Sequence, residues 1–389
     1  MKKKLRVGVL FGGRSGEHEV SLRSAASILK AMDPKKYEVV PIGITKQGQW
    51  LNGGGARALL EGEAAVQESD AGVTIIPPAP KVKAVAKKAG KGLAPAAAAA
   101  ADAHGLDVVF PVLHGTFGED GTIQGLFELA DIAYVGSGVL GSSTGMDKDA
   151  MKRMFLAEGL PITPHVTVLR GEWSSDAKRV TRKIEKKLQY PVFVKPANLG
   201  SSVGISKVHD RSELAAAMDL AASYDRKIVI EEGVGGAGVK PRELEVAVLG
   251  NDLPEASVVG EIVPDREFYD YESKYDSTST SEPVIPAKLT KSEAKTIREM
   301  AIAAFRACDC AGLARVDFLM EPAVNAKGKK IKNPKIVLNE INTMPGFTSI
   351  SMYPKLWEAT GLTYPQLIDR LIQLALEREQ EKKQTNFSR

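Results

Sequence analysis

The first part of the chain alternates short apolar runs with helical patterns. Residues 7–11, 37–44 and 106–113 are candidate buried strands, and residues 17–32 carry a helical pattern between the first two. Short apolar strands that alternate with helices are typical of a parallel α/β sheet. We therefore predict a Rossmann-like α/β domain at the beginning of the chain.

The remainder of the chain follows a different order. Beyond residue 146 strands and helices no longer alternate strictly, which favours an α+β architecture. Two helix starts carry the residue types of a capping box, Thr290 with Glu293 and Thr363 with Gln366. The candidate strands of this part are residues 191–196, 227–232, 244–249 and 257–262.

Composition excludes several classes of protein. The 389 residues are 43% hydrophobic and 26% charged, which is typical of a soluble globular chain of two or three domains. No apolar stretch reaches the roughly 18–20 residues of a membrane span, and the start does not resemble a signal peptide, so we expect a cytoplasmic protein. The formal charge of +4 is too small and dispersed for nucleic-acid binding. Cys308 and Cys310 are interpreted as buried structural thiols rather than as metal or redox ligands.

A cluster of oxygen ligands is predicted near the C-terminal end. Asp317 lies in an apolar run, and Glu340 and Asn342 lie two residues apart in a second run. Strand residues two apart face the same side, so the three side chains converge if the runs pair. Carboxylate and amide oxygens are ligands that Mg²⁺ prefers. The alternative is a pair of edge strands with solvated acids.

A second pattern indicates phosphate binding. Lys195 ends the apolar strand 191–196, and the Gly/Ser-rich loop 197–204, which includes Ser202, follows it. Backbone amides and small hydroxyls in such a loop can surround phosphates. The alternative is an ordinary strand with a lysine at its solvent end. The chain has neither the P-loop pattern nor the glycine fingerprint of a dinucleotide-binding domain.

Three further segments are candidates for ligand contacts. Glu17 follows a glycine-rich turn at a helix start, where a carboxylate can bind a ligand or simply interact with the helix dipole. His114 lies in a glycine-rich loop after a strand, where open α/β sheets bind ligands, and its alternative role is structural. The polar and aromatic segment 267–275 is interpreted as a covering loop or as a plain connector. Near the C-terminal strands, Arg315 and the N–H of Gly346 could stabilise an oxyanion.

Taken together, these segments resemble the D-alanine–D-alanine ligase family of the ATP-grasp superfamily. The resemblance rests on GGRSGEHEVS at residues 12–21, HGTFGEDGTIQG at 114–125, GSSVG at 200–204, YDYESKY at 269–275 and NEINTMPG at 339–346. It covers the chain from residue 7 to the last helix, without an alanine-rich insertion at about 79–103 and the hairpin 327–335.

The resemblance implies three domains and a two-step reaction. The domains would span residues 1–145, with the insertion, 146–235 and 236–389, the last two forming a two-lobed α+β ATP-grasp module. Similar enzymes phosphorylate the carboxylate of one D-alanine with ATP, and the amine of a second D-alanine then attacks the acyl phosphate. Relatives are commonly homodimers. D-serine and D-lactate as acceptors, and a catalytically silent nucleotide-binding regulator, are the alternatives.

The resemblance also implies roles for individual residues. Asp317, Glu340 and Asn342 would hold two Mg²⁺ or Mn²⁺ ions on the ATP phosphates. The nucleotide would further contact Lys148, Lys195, Ser202, Glu231, Glu232, Val234 and Glu243, with the first three at phosphates, the next three at adenine and the last at ribose. At the first substrate, Glu17 would bind the ammonium and form a hydrogen-bonded trio with Ser201 and Tyr275. Arg315 and Gly346 would face the oxyanion. Lys274 and Ser351 would bind the second carboxylate, and His114 would lie near the substrate.

Overall fold

The structure is a computed structural model that describes residues 3–62, 105–263, 282–324, 329 and 331–386. The alanine-rich insertion, the predicted covering loop 267–275 and the turn 325–328 lie outside the described residues. The predicted domain boundaries stay predictions. Among the described helices, none combines the length and the apolar character that a membrane crossing requires.

The N-terminal part is an α/β domain. Its sheet has the strand order β3-β2-β1-β4, in which β1 pairs in parallel with β2 and with β4. The predicted parallel sheet is thereby confirmed. The edge strand β3, which sequence patterns did not indicate, pairs antiparallel with β2. The elements are β1 (Leu5–Gly12), α1 (His18–Ala31), β2 (Tyr37–Ile44), β3 (Trp50–Asn52), α2 (Gly53–Glu61), β4 (Val108–Val112), α3 (Thr122–Leu129) and α4 (Val139–Met146).

The central part is an antiparallel sheet with helices packed against it. The strand order is β5-β8-β6-β7. Asp147 accepts hydrogen bonds from two backbone N–H groups in the first turn of α5, which explains why that helix begins there. The elements are α5 (Lys148–Ala157), β5 (His165–Leu169), α6 (Arg170–Ser175), α7 (Ala177–Glu185), β6 (Val192–Pro196), β7 (Ser206–Val208), α8 (Arg211–Tyr224) and β8 (Lys227–Glu232).

The C-terminal part is built on a five-stranded antiparallel sheet of order β11-β10-β9-β12-β13. Both predicted capping boxes are present, at Thr290 and at Thr363. Cys308 and Cys310 are buried and free, as predicted, and burial raises the pKa of Cys308 to about 12. The elements are β9 (Arg242–Gly250), β10 (Glu255–Val263), β11 (Glu282–Val284), α9 (Lys291–Ala307), β12 (Gly312–Met320), β13 (Ile336–Asn342), α10 (Met352–Thr360) and α11 (Tyr364–Lys382).

The two faces of the five-stranded sheet differ in character. One face is apolar and packs with α9 and α5 in a single buried cluster that includes Val246 and Val316. The opposite face belongs to the core shared with α10, α11 and the N-terminal sheet where Ala247 and Leu313 lie. Further along the same strands this second face becomes charged. This change from apolar to charged residues marks the candidate site.

Candidate active site

Strands β12 and β13 bring four polar side chains to the charged face. Asp317 lies directly opposite Glu340, and Arg315 lies directly opposite Asn342. Directly opposed residues of antiparallel strands project to the same face of a sheet. The predicted pairing of the two runs is therefore confirmed, while the metal-binding roles of their residues stay predictions.

Asn339 is an extra residue in β13. The register of the pairing shifts after Asp317, so that Asn339 has no counterpart in β12. Such a bulge bends a strand and redirects its side chains. The side-chain oxygen of Asn339 accepts a hydrogen bond from Lys195 Nζ at 3.4 Å. This hydrogen bond joins β13 to the central sheet.

Arg315 contacts one acidic side chain on its own strand and another on the adjacent strand β9. Its Nε and Nη2 each donate to Asp317 at 2.7 Å, and its Nε lies 3.3 Å from Glu245 on β9. Burial opposes the charged form, but these carboxylates keep the pKa of Arg315 well above its ordinary value. Arg315 is therefore a permanent cation beside the predicted metal ligands.

The donor set at this position fits a hard cation. Two carboxylates and one amide oxygen share the face, and Asn342 Oδ1 is oriented by a hydrogen bond from the N–H of Met344 at 3.0 Å. Within the described part of the chain, no group of three His, Cys, Asp or Glu side chains is arranged to hold a metal ion. A cation here would therefore depend on the Asn342 oxygen and on oxygens from substrate.

A buried ion cluster lies on the two inner strands of the central sheet, β6 and β8. Glu231 Oε2 is 3.1 Å from Lys195 Nζ and accepts from Thr163 at 3.2 Å, while Glu231 Oε1 is 3.3 Å from Lys152 Nζ. Burial alone would raise the pKa of Glu231, but the two lysines lower it to about 2. Glu231 is thus a carboxylate at neutral pH. Lys152 was not predicted, because a lone lysine inside a helix carries no distinguishing pattern.

The other residues predicted at adenine and ribose are more dispersed. Glu232 faces away from Glu231 and accepts from the N–H of Gln189 at 2.9 Å. Val234 is buried just after β8. Glu243 lies on β9 two residues before Glu245 and therefore on the charged face.

The predicted phosphate loop follows β6 and is tied to α5. Lys148 Nζ donates to the carbonyl of Leu199 at 2.7 Å. Ser201, Ser202 and Gly204 all have positive φ, so the loop is tightly curved. Ser202 is partly exposed. Turns with positive φ can form concavities of backbone amides that bind anions.

Glu17 connects the N-terminal domain to this loop. The Ser201 hydroxyl donates a hydrogen bond to Glu17 Oε1. These are the two members of the predicted trio that the structure describes. A Cβ on Gly115 would lie 2.6 Å from Glu17 Oε2, and one on Gly200 would lie 3.1 Å from it. Glycines at both positions therefore allow the loops to close around this carboxylate.

Glu119 is a site residue that the sequence analysis did not select. Its Oε2 accepts from the N–H of Gly115 at 2.8 Å, while Oε1 is buried without a hydrogen bond. Burial and the nearby Glu17 raise the pKa of Glu119 well above its ordinary value. Its place in the glycine-rich loop after His114 was the available signal. Only the fold, however, shows that it faces Glu17.

His114 lies beneath the site and is fully engaged. Its Nδ1 is 2.9 Å from the carbonyl of Met344, so Nδ1 carries the proton. Its Nε2 then accepts from Ser24 Oγ at 3.2 Å, and Ser24 Oγ accepts from the N–H of Phe347 at 3.2 Å. Burial lowers the pKa of His114 to about 4. A direct contact with substrate would have to replace one of these hydrogen bonds.

The turn after β13 brings Gly346 next to Ser351. A Cβ on Gly346 would lie 3.3 Å from Ser351 Oγ, which itself accepts from the N–H of Thr348 at 3.1 Å. Ser351 is the N-cap residue of α10, and Gly346 lies beside it in the preceding turn. Lys274 and Tyr275 lie outside the described residues.

Two family models match nearly the whole chain. The model described as D-ala D-ala ligase N-terminus matches residues 6–137, and the one described as D-ala D-ala ligase C-terminus matches residues 154–373. A D-alanine–D-alanine ligase of Natranaerobius thermophilus is 50% identical over 99% of both chains. A D-alanine–D-alanine ligase of Geobacillus kaustophilus is 47% identical over 99% of this chain and 98% of its own.

Solved structures agree with these relatives. The D-alanine-D-alanine ligase from Coxiella burnetii is 34% identical, with a TM-score of 0.74 over 98% of this chain and 96% of its own. The VanG D-Ala:D-Ser ligase from Enterococcus faecalis is also 34% identical, with a TM-score of 0.76 over 96% of this chain and 100% of its own. The predicted fold, an α/β domain followed by a two-lobed ATP-grasp module, is thereby confirmed. The chain belongs to the D-alanine–D-alanine ligase family.

Proposed function

We propose that this protein joins two D-alanines into D-alanyl-D-alanine, with conversion of ATP to ADP and phosphate, for the synthesis of peptidoglycan precursors. Full-length relatives at 50% and 47% identity support this activity. The structural observation that carries the proposal is the meeting of the two lobes. Lys195 of the central sheet donates a hydrogen bond to Asn339 on β13. Asn339 is next to Glu340, which lies on the charged face of the C-terminal sheet.

The chemistry explains why such a meeting is needed. A carboxylate does not react with an amine at neutral pH, so one oxygen of the first D-alanine carboxylate must be converted into a better leaving group. Transfer of the γ-phosphoryl group of ATP to that carboxylate gives an acyl phosphate. The second amine then attacks the acyl carbon, and the tetrahedral adduct expels phosphate. Charge develops on the phosphoryl oxygens in the first step and on the former carbonyl oxygen in the second.

The proposed roles of the residues are those that the family resemblance implies. Lys148 and Lys195 would bind the ATP phosphates, and Glu17 would bind the ammonium of the first D-alanine. Arg315 and the N–H of Gly346 would face the oxyanion of the tetrahedral adduct. The remaining proposed contacts are Ser202 at phosphate, Glu231, Glu232, Val234 and Glu243 at the nucleoside, and Ser351 with Lys274 at the second carboxylate.

Asp317, Glu340 and Asn342 would hold two Mg²⁺ or Mn²⁺ ions. Bound there, the ions would neutralise phosphate charge as Lewis acids. Because Asp317 is shared with Arg315, we propose that this arginine keeps the aspartate aligned along the strand. We further propose that the protein is a cytoplasmic homodimer.

The experiment is phosphate release from ATP with Mg²⁺ in the presence of D-alanine, L-alanine, D-serine or D-lactate. Release should require D-alanine. Because VanG is named as a D-Ala:D-Ser ligase, D-alanine with added D-serine is the decisive comparison. Faster formation of the D-alanyl-D-serine product would replace the proposed acceptor, and no turnover with any pair would refute the ligase proposal.

Replacing Glu340 with Gln tests the metal role. We expect a loss of turnover of about 100-fold or more, since a Lewis acid contributes several kcal/mol to such reactions. Raising the Mg²⁺ concentration should partly restore activity. Glu299→Gln is the matched control, because that carboxylate is exposed on α9. Equal activity of the two variants would contradict the role.

A further inference from the structure

Lys152 is a fully buried lysine that none of the proposed roles uses. Its side chain on α5 has 0% exposure, and its Nζ lies 3.3 Å from Glu231 Oε1. The same Nζ donates to the backbone carbonyl of Asn339 at 3.3 Å. A buried ammonium is costly to maintain unless it is paired, so a lysine at this position needs a reason.

Two ammonium groups share one carboxylate here. Lys152 binds one oxygen of Glu231, and Lys195 lies 3.1 Å from the other. The two lysines differ in accessibility, since the side chain of Lys195 is 10% exposed. Lys195 also lies at the end of β6, just before the phosphate loop. Lys195 can therefore reach a ligand in the cleft, while Lys152 cannot.

Binding of a triphosphate would change the ion pairs of Glu231. If Lys195 moves to phosphate, Glu231 loses one of its two cations while it stays buried. With Lys152 in place, Glu231 keeps an ion pair through Oε1 and the Thr163 hydroxyl at Oε2. Without Lys152, moving Lys195 would leave a buried carboxylate with no cation, which is strongly unfavourable.

We propose that Lys152 is a positioning residue that stays paired with Glu231 when Lys195 moves and thereby releases Lys195 to bind the nucleotide polyphosphate. Its second hydrogen bond, to Asn339, fixes the bulge of β13 against α5. Lys152 thus connects the central sheet with the strand that carries Glu340. This inference rests on the proposed function, because it assumes that Lys195 contacts phosphate.

The test compares ATP with adenosine, which lacks phosphates, by equilibrium binding to the full-length protein. Lys152→Met should lower the ratio of ATP affinity to adenosine affinity by about 10-fold or more, the size of a lost hydrogen bond to a charged group. Lys195→Met should lower the ratio similarly. The double variant of both lysines should be no worse than Lys195→Met alone, because Lys152 acts through Lys195.

A compensating variant separates this role from simple disruption of the core. Lys152→Met combined with Glu231→Gln removes both the cation and the charge that it neutralises. Because ATP and adenosine share the nucleoside that Glu231 is proposed to contact, a loss of that contact cancels in the affinity ratio, which should return to within about threefold of wild type. This variant also serves if Lys152→Met alone fails to fold. Adding Lys195→Met to it should lower the ratio again.

Several outcomes would overturn the inference. It is wrong if Lys152→Met weakens ATP and adenosine equally, if it weakens neither, or if Glu231→Gln does not restore the ratio. Wild-type protein that binds no ATP would instead refute the proposed function itself. Ligase activity with normal ATP binding in Lys152→Met would refute only the role of Lys152.

Discussion

His114 should stay uncharged well below the pH at which an ordinary histidine titrates. Burial lowers its pKa from 6.5 to about 4, and the hydrogen bond to Met344 opposes this only in part. Protonation would also place a proton on Nε2, which accepts from Ser24. The structure therefore predicts a neutral ring that carries its proton on Nδ1.

The sign of the effect on stability follows from linkage. Between pH 6.5 and about 4 the unfolded chain binds a proton at this histidine and the folded protein does not. The contribution of His114 is fully present above pH 6.5 and is lost as pH falls toward 4. At about 1.4 kcal/mol for each pH unit, the loss amounts to about 3 kcal/mol.

Two measurements check this prediction. The chain has five histidines, so ¹⁵N-histidine labelling gives a spectrum in which the signal missing from His114→Asn identifies the residue. Its nitrogen shifts report the protonation and the tautomer directly. In parallel, thermal unfolding of wild type and His114→Asn is followed from pH 7.5 to 4.5, because asparagine retains a donor for the Met344 carbonyl.

The difference between the two unfolding curves isolates the histidine. Glu119 contributes in the opposite direction, since burial and Glu17 raise its pKa, but it is present in both proteins. The stability of His114→Asn should decline less on acidification than that of wild type. A His114 ring that titrates near pH 6.5, or carries its proton on Nε2, would refute the reasoning.

Two further predictions concern the packing. Because Cys308 and Cys310 are buried and the pKa of both thiols is raised by burial, native protein should resist thiol reagents that label the unfolded chain; rapid labelling of the native state would contradict this. Arg378→Ala should destabilise the protein by about 1–3 kcal/mol in thermal unfolding, because the Arg378 guanidinium lies 4.4 Å from the ring of Tyr134 and donates to the carbonyl of Tyr134. Arg370→Ala, which breaks an exposed ion pair, should have little effect.

Much of the fold was predictable because it is encoded locally. Strand 37–44 and the helix that begins after Thr290 lie where their sequence patterns predicted them, since a short apolar run and a capping box depend on residues close together in the chain. Strands β3, β5, β7 and β11 and helices α2, α3, α4, α6, α7 and α10 were not predicted. Short elements such as these carry weak periodicity and are stabilised mainly by what they pack against.

The candidate site divides in the same way. The shared face of Asp317, Glu340 and Asn342, the predicted metal ligands, was recognisable because spacing along a strand determines which side chains lie on one side. Lys152 and Glu119 were not recognisable. Each is distant in sequence from the groups it meets, and a single charged residue has no period to detect.

Local patterns in the sequence were sufficient to identify the strands, the helix caps and the chemical character of the ligand-binding segments, because each depends on neighbouring residues. Tertiary packing alone decided that β13 bulges at Asn339 and that one buried carboxylate is shared by two lysines. These features join segments far apart in the chain. Their energies depend on burial and on distances of a few ångströms, which no local pattern specifies.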